Sequence, residues 1–157
     1  MIFVTVSNAS FPRLVSYMDS LARQSDHEII MQIGRTPCTP RFAQFFRFGS
    51  RSHLQSCCSS ADIVITHGGA GSIIMAVRNG AACICMPRTR RMDKCRDNHQ
   101  VELVRRLAAQ GRVISVESLK DIPAAIKKAE RLVTSQKQTI DKEQRLGDAI
   151  AHFLTLQ

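Results

Sequence analysis

The sequence predicts an open, doubly wound α/β domain built on a parallel sheet, and three observations carry that prediction. Short β-branched or apolar runs recur six times along the chain, segments of helical period separate them, and after Val116 the pattern is wholly helical. Strands alternating with amphipathic helices argue for βαβ units whose sheet is covered on both faces. At 157 residues and 44% hydrophobic, the chain is long enough for one compact domain and short for two.

The first strand is expected over Met1 to Val6. No basic stretch precedes its apolar residues, so it reads as the first buried strand of a cytosolic protein rather than a secretory signal. A helix over Phe11 to Gln24 follows, with Leu14, Val15, Met18, Leu21 and Ala22 at helical spacing. Strands are expected over Glu28 to Ile33 and Ala43 to Phe48, then a helix over Ser52 to Ser60 and a fourth strand over Asp62 to Thr66. Ser72 to Arg78 reads as the helix leading to a fifth strand, Ala82 to Met86, in which Cys83 and Cys85 face the same side as small apolar residues. Asn98 to Gln110 places Val101, Leu103, Val104, Leu107 and Ala108 at helical spacing before the sixth strand, Arg112 to Val116.

Beyond it, Ser118 to Val133 is expected to be helical, with Ser118 and Asp121 as a loose capping box and Pro123 in the first turn. A last helix, Gln136 to Leu156, carries the stripe Ile140, Leu146, Ile150, Phe153 and Leu154. The expected division is a Rossmann-like domain over 1–134 and a C-terminal helix over 135–157. That helix packs either on its own sheet or on a partner.

Composition removes several function classes. The longest purely apolar run, Ala81 to Met86, is far below the roughly 20 residues that cross a bilayer. The six cysteines include no C-x-x-C pair and no Cys/His spacing suited to zinc, so no metal is expected and reduced thiols are. A net charge of +9 and a pI near 9.8 favour an anionic partner. Aromatics at 5% and the lack of Trp supply few stacking platforms, and nucleic acid is not expected among the partners.

In an open parallel sheet, ligands bind outside the carboxyl ends of the strands. Four loops are therefore candidates: Ser7 to Ser10, Gly34 to Pro40, His67 to Gly71 and Pro87 to Asp97. The third, "HGGAG", leaves a strand and enters a helix, so its amides and the positive end of the helix dipole converge where an anion could sit. Glycine suits such a place because a Cβ would block close approach. The loop is neither a Walker A motif nor G-x-G-x-x-G, and a plain tight turn remains the alternative reading. A lone histidine at a strand end, such as His67, is more often structural than functional.

Three segments, "MIFVTV", "DIVITHGGAGSIIMAVRNGAACICMPR" and "DNHQVELVRRLAAQGRVI", resemble the C-terminal, donor-binding half of family 28 glycosyltransferases of the GT-B fold. The resemblance covers nearly the whole chain. It is nearest to the small stand-alone subunit of two-part UDP-sugar glycosyltransferases, those of dolichol-linked N-acetylglucosaminyl transfer and their bacterial exopolysaccharide counterparts. It implies a UDP-sugar of the UDP-GlcNAc or UDP-glucuronate class as co-substrate, with no cofactor and no metal. It further implies a membrane-anchored partner that carries the lipid-linked acceptor, with this chain cytoplasmic and recruited to the membrane face.

Carried over by position, Gly68, Gly69, Ala70, Gly71 and Ser72 would meet the diphosphate, with His67 bordering the pocket and Arg88 set against the charge. Asn98, His99 and Gln100 would reach sugar or ribose hydroxyls. The rest of the basic run "RTRRMDKCR" can be read as phosphate contact, anionic-lipid contact or a solvated loop.

Two positions depart from the family pattern. Ser7 and Asn8 stand where relatives carry Gly-Thr, and Met75 stands where a glutamate pairs with the ribose hydroxyls. These departures motivate a second reading, a non-catalytic or donor-impaired assembly subunit that keeps the fold. No general base is recognisable from spacing, so the catalytic residue is unassigned, and the resemblance implies that the acceptor side belongs largely to the partner's half.

Overall fold

A computed structural model of the chain describes residues 1–93, 95 and 99–137. Each of the six apolar runs contains a strand: β1 Ile2–Thr5, β2 Ile29–Gln32, β3 Gln44–Phe46, β4 Ile63–Thr66, β5 Ala82–Cys85 and β6 Ile114–Ser115. They pair in parallel throughout, in the order β3-β2-β1-β4-β5-β6. β1 lies at the centre, with Ile2 opposite Ile29 on one side and Ile63 on the other.

Because side chains alternate along a strand, the central strands feed two separate cores. Ile2, Val4, Ile63, Ile65 and Ile84 pack on one face with Leu14, Val15 and Met18 of α1, Pro12–Ala22. That face also takes Ile122, Ala125, Ile126 and Ala129 of a helix over residues 122–137. Phe3, Val64, Cys83 and Cys85 pack on the other face. There they meet Cys58 of α2, Arg51–Ser60, and Ile73 and Ala76 of α3, Ala70–Arg78. Two further helices, α4 over Arg90–Asp93 and α5 over His99–Ala109, lie between β5 and β6, and Val104 of α5 joins the second core. With α4 and α5 counted in chain order, the helix over 122–137 is α6.

The Cys83 and Cys85 sulfurs lie 3.6 Å apart on that second face, and all six cysteines are free thiols. Burial and the neighbouring Cys57 and Cys83 push the Cys58 thiol up to about 11, so it acts as a small apolar filler.

One expectation needs correction. Ser118 makes no side-chain cap; it precedes a 3-10 turn, Leu119–Asp121, closed by a backbone bond of 3.0 Å from the Asp121 N–H to the Ser118 carbonyl. A turn that uses the carbonyl leaves the expected capping box without a role. Within the run "RTRRMDKCR", Arg90–Asp93 is a short helix rather than a loop. The Thr89 hydroxyl accepts from the Met92 N–H at 3.2 Å, and the Asp93 carboxylate accepts from the Thr89 N–H at 2.8 Å, which starts α4. Arg13 then grips Asp93 with two bonds of 2.6 and 2.8 Å. Burial pushes the Asp93 carboxyl up, but the Arg13 bonds, the Thr89 amide and the charges of Arg13 and Arg88 outweigh it and hold it below the usual range.

α6 continues through Thr134 and Ser135 to residue 137. The remainder of the expected C-terminal helix, with Ile140, Leu146, Ile150, Phe153 and Leu154, lies outside the described residues, as does Asn98.

Candidate functional site

The strand order reverses between β1 and β4, so their outgoing chains diverge to opposite sides and leave a crevice at their carboxyl ends. The loops that border it are Ser7 to Ser10 and His67 to Gly69. Ser7 takes φ 55°, the left-handed region that costs a residue with a Cβ. Its N–H donates to the Thr5 hydroxyl at 3.2 Å. Gly34 packs beneath this loop, where an added Cβ would stand 2.3 Å from the Ser7 carbonyl oxygen. The left-handed turn is therefore made here by a serine, held in place from below.

The imidazole of His67 is buried. Burial first, and the positive charge of Arg88 second, lower its pKa to about 4 against the opposing pull of a hydrogen bond to the backbone of Thr5. The ring is thus neutral at physiological pH. It lies directly under Gly69, where an added Cβ would come within 2.7 Å of His67 Nε2. Gly68, at φ 87°, packs against α5, and a Cβ there would stand 2.8 Å from a Val104 methyl. Both glycines are thus required by their neighbours, and His67 is the floor of the loop rather than its lip.

Gly71 differs, since a Cβ built on it meets nothing within 4 Å. It sits in the first turn of α3, whose N-cap is Gly69 with no side-chain capping bond and whose first turn carries no acidic residue. The amides of Ala70, Gly71 and Ser72 have no acceptor within their own helix, and the positive end of the helix dipole faces out uncompensated.

Gly71 and Ser72 open onto a cavity of about 500 Å³ that also takes in Ser7 and Met75. Thr5 and Gln32, at the ends of β1 and β2, form its floor, and the Thr5 hydroxyl donates to Gln32 Oε1. Arg51 and Gln55 of α2 face Arg78 and Asn79 at the end of α3, with Phe3, Leu54 and Cys58 as the apolar wall. Among the described residues, no carboxylate lines this cavity. Its chemistry suits a ligand that is flat or apolar at one end and anionic at the other, close to the start of α3.

Asn8 is exposed and does not line the cavity. Arg88, at the carboxyl end of the neighbouring β5, is half-buried, and its Nε has no hydrogen-bond partner among the described residues. Gln100 Oε1 is likewise buried and unpartnered there. His99 is exposed and lines a separate open groove with Arg91, Arg105 and Arg106. The structure thus gathers Ser7, Gly71, Ser72 and Met75 into one cavity, and Asn8, His67, Gly68, Gly69, Ala70, Arg88, His99 and Gln100 do not line it. Among the described residues, no group of three His, Cys, Asp or Glu converges on a common point.

Thr5, Gln32, Arg51, Gln55, Arg78 and Asn79 also line this cavity, and no sequence motif marks them. The signal that finds Thr5 and Gln32 is the strand-end rule, since they are the last residues of their strands. Arg51 carried no local signal, because α2 enters the site through the packing of two helices and not through a loop motif.

Glycosyltransferase family 28 C-terminal domain is the family whose profile matches residues 1–153 of the chain. The UDP-N-acetylglucosamine transferase subunit ALG13 of Homo sapiens is 31% identical over 123 residues, covering 70% of this chain and 10% of that protein. Its Mus musculus counterpart of the same name is 27% identical over 122 residues, covering 69% of this chain and 10% of that protein. The chain spans about a tenth of the length of these curated relatives. Among solved structures, the glycotransferase of kitacinnamycin superposes with a TM-score of 0.62 at 16% identity, covering 87% of this chain and 38% of that one. That likeness is one of fold, the Rossmann-like unit of a GT-B glycosyltransferase.

Proposed function

The chain belongs to the glycosyltransferase family 28 C-terminal domain family, and from that premise we propose that it is the donor-binding half of a UDP-sugar glycosyltransferase. In this reading a membrane-associated partner subunit supplies the acceptor side and the lipid-linked acceptor. The observation that carries the reading is the open flank of Gly71 at the uncapped start of α3, facing a cavity whose far end is apolar. The relatives' name, a UDP-N-acetylglucosamine transferase subunit, supports both the donor class and the dependence on a second subunit.

The nucleoside occupies the cavity between α2 and α3, beside Leu54 and Met75, with Gln32, Gln55 and Asn79 as hydrogen-bonding groups at the base and ribose. The diphosphate lies against the amides of Ala70, Gly71 and Ser72 and the Ser72 hydroxyl. As the sugar–phosphate bond breaks, negative charge grows on the departing UDP. Fixed dipoles at the helix start stabilise that charge without having to reorganise. Arg88, with its unpartnered Nε and its charge already felt by His67 and Asp93, adds a cation on the β5 side. Gln100, with its buried unpartnered oxygen, and Asn98 are assigned to sugar hydroxyls. The base that takes the acceptor's proton is assigned to the partner's half.

Isothermal titration calorimetry with UDP, UDP-GlcNAc and UDP-glucuronate tests this. Saturable binding is expected, and no heat at millimolar ligand would sink the reading.

Met75 and the strained Ser7 favour a second reading, an assembly subunit with weakened donor use. A methionine sulfur is a feeble acceptor, whereas a charged hydrogen bond to a ligand contributes about 1.5–3 kcal/mol. Met75→Glu is therefore expected to tighten UDP by roughly tenfold to a hundredfold. An unchanged affinity in that variant would favour the second reading.

A further inference from the structure

We propose that the β3 edge of the sheet is a membrane-contact surface for anionic lipid, formed by Phe42, Phe45 and Phe48 within a frame of arginines. β3 closes the sheet on this side and, among the described residues, pairs only with β2. The chain around it reads "RFAQFFRFGSR" from Arg41 to Arg51. One of its rings turns inward: Phe46 stacks on Phe3 at 6.3 Å and meets the His53 ring edge-on at 4.6 Å. The other three stay out, with Phe42 52%, Phe45 38% and Phe48 60% exposed, whereas Phe3 and Phe11 are fully buried.

This exposure is built in, because the segment is tied down on both sides of the strand. The Asp19 carboxylate accepts the N–H groups of Arg41, Phe42 and Ala43 at 2.9, 2.8 and 3.0 Å. Past the strand, Arg47 donates to the Thr36 carbonyl at 2.6 Å. Around the rings the charge is positive: Arg41, Arg47 and Arg51 are exposed, and the Arg23 guanidinium lies 5.5 Å over the Phe42 ring. Asp19, the carboxylate beneath, turns its charge to the amides of its own chain. Burial raises its pKa, but those three amides and Arg41 outweigh burial and hold it below the usual range.

Exposed aromatics need a cover, and the arginines select it. A second copy docking edge to edge would bring arginine against arginine. Single-stranded nucleic acid stacks on free ring faces, but here Arg23 covers one face of Phe42 and Phe46 is stacked internally. Phenylalanine inserted at the headgroup boundary with arginine against anionic headgroups meets both requirements at once. The +9 net charge adds long-range attraction to such a surface. The placement is also consistent, since Phe48 to Ser50 lead directly into α2, whose first residue, Arg51, lines the cavity. Contact through this edge brings the cavity mouth beside the lipid, although the proposal does not depend on what the cavity binds.

The test is co-sedimentation of the full chain, without nucleotide, with vesicles of phosphatidylcholine alone and vesicles containing about a third phosphatidylserine. Binding is expected only to the anionic vesicles and should weaken as salt rises. Phe42→Ser/Phe45→Ser/Phe48→Ser should lower vesicle affinity tenfold or more while leaving the circular dichroism spectrum unchanged. Phe48→Trp should show a blue-shifted emission when anionic vesicles are added to otherwise wild-type protein. Absence of vesicle binding, or of that shift, overturns the proposal. So does phenylalanine-dependent binding to single-stranded RNA without vesicle binding, or phenylalanine-dependent self-association in sedimentation equilibrium.

Discussion

The two halves of the loop between β4 and α3 use glycine for different reasons. Gly68 and Gly69 are hemmed in by protein: a Val104 methyl would stand 2.8 Å from a Cβ on the first, and the His67 ring 2.7 Å from a Cβ on the second. Gly71, two residues on, faces open space while sitting in a helix, where glycine is unfavourable by about 1 kcal/mol relative to alanine. Fold explains the first pair and leaves the third unexplained. One glycine-rich string is therefore half packed joint and half open cavity wall, and the boundary falls where the chain enters α3.

The largest effect that separates the halves is expected at Gly68. Gly68→Ala adds a methyl at φ 87° against Val104. Left-handed backbone costs about 1–2 kcal/mol and overpacking about 1–3 kcal/mol, so chemical denaturation should show a loss of roughly 2–5 kcal/mol. Pairing it with Val104→Ala should recover the packing part and leave the backbone part. A loss below about 1 kcal/mol would mean that the loop relaxes freely and that the contrast with Gly71 is unfounded.

The floor of the loop gives the next effect. His67 has an ordinary value of 6.5 and is lowered to about 4, first by burial and then by Arg88. The unfolded chain therefore takes up this proton before the folded chain does. Stability is at its full value above about pH 6.5 and declines as the pH falls toward about 4, by up to about 3 kcal/mol from this group alone. His67→Gln should flatten that part of the stability–pH profile measured by urea titration. An unchanged slope in the variant would remove His67 from the role of buried neutral floor.

The legibility of the sequence divides along the same line. All six strands were readable because a buried parallel strand is a short apolar run whatever its neighbours do, as "IVIT" at Ile63–Thr66 illustrates. The glycine loop was legible as a place, but not the division of labour within it, because what hems in Gly68 is Val104, 36 positions further along. None of the readings open for the basic run gave Asp93 a partner, yet it is gripped by Arg13 from α1. Arg51 and Arg78 reach the cavity only because α2 and α3 pack side by side. Local period reports which face is apolar. Which residues from distant segments meet depends on packing that no short window contains.

Gly71→Ala is the smallest change in stability and the sharpest test of the boundary. With nothing within 4 Å of the new methyl, the folded chain loses no contact, and a helix that exchanges glycine for alanine gains about 0.5–1 kcal/mol. Thermal melting should therefore move upward by a few degrees. If a diphosphate lies against the amides at the start of α3, the same methyl occupies the ligand's space, and UDP affinity should fall about tenfold, equivalent to 1.4 kcal/mol. Opposite signs for stability and affinity are what a glycine kept for a ligand produces. A stabilised variant that binds UDP as tightly as the wild type would place the diphosphate elsewhere and leave Gly71 without a function in the cavity.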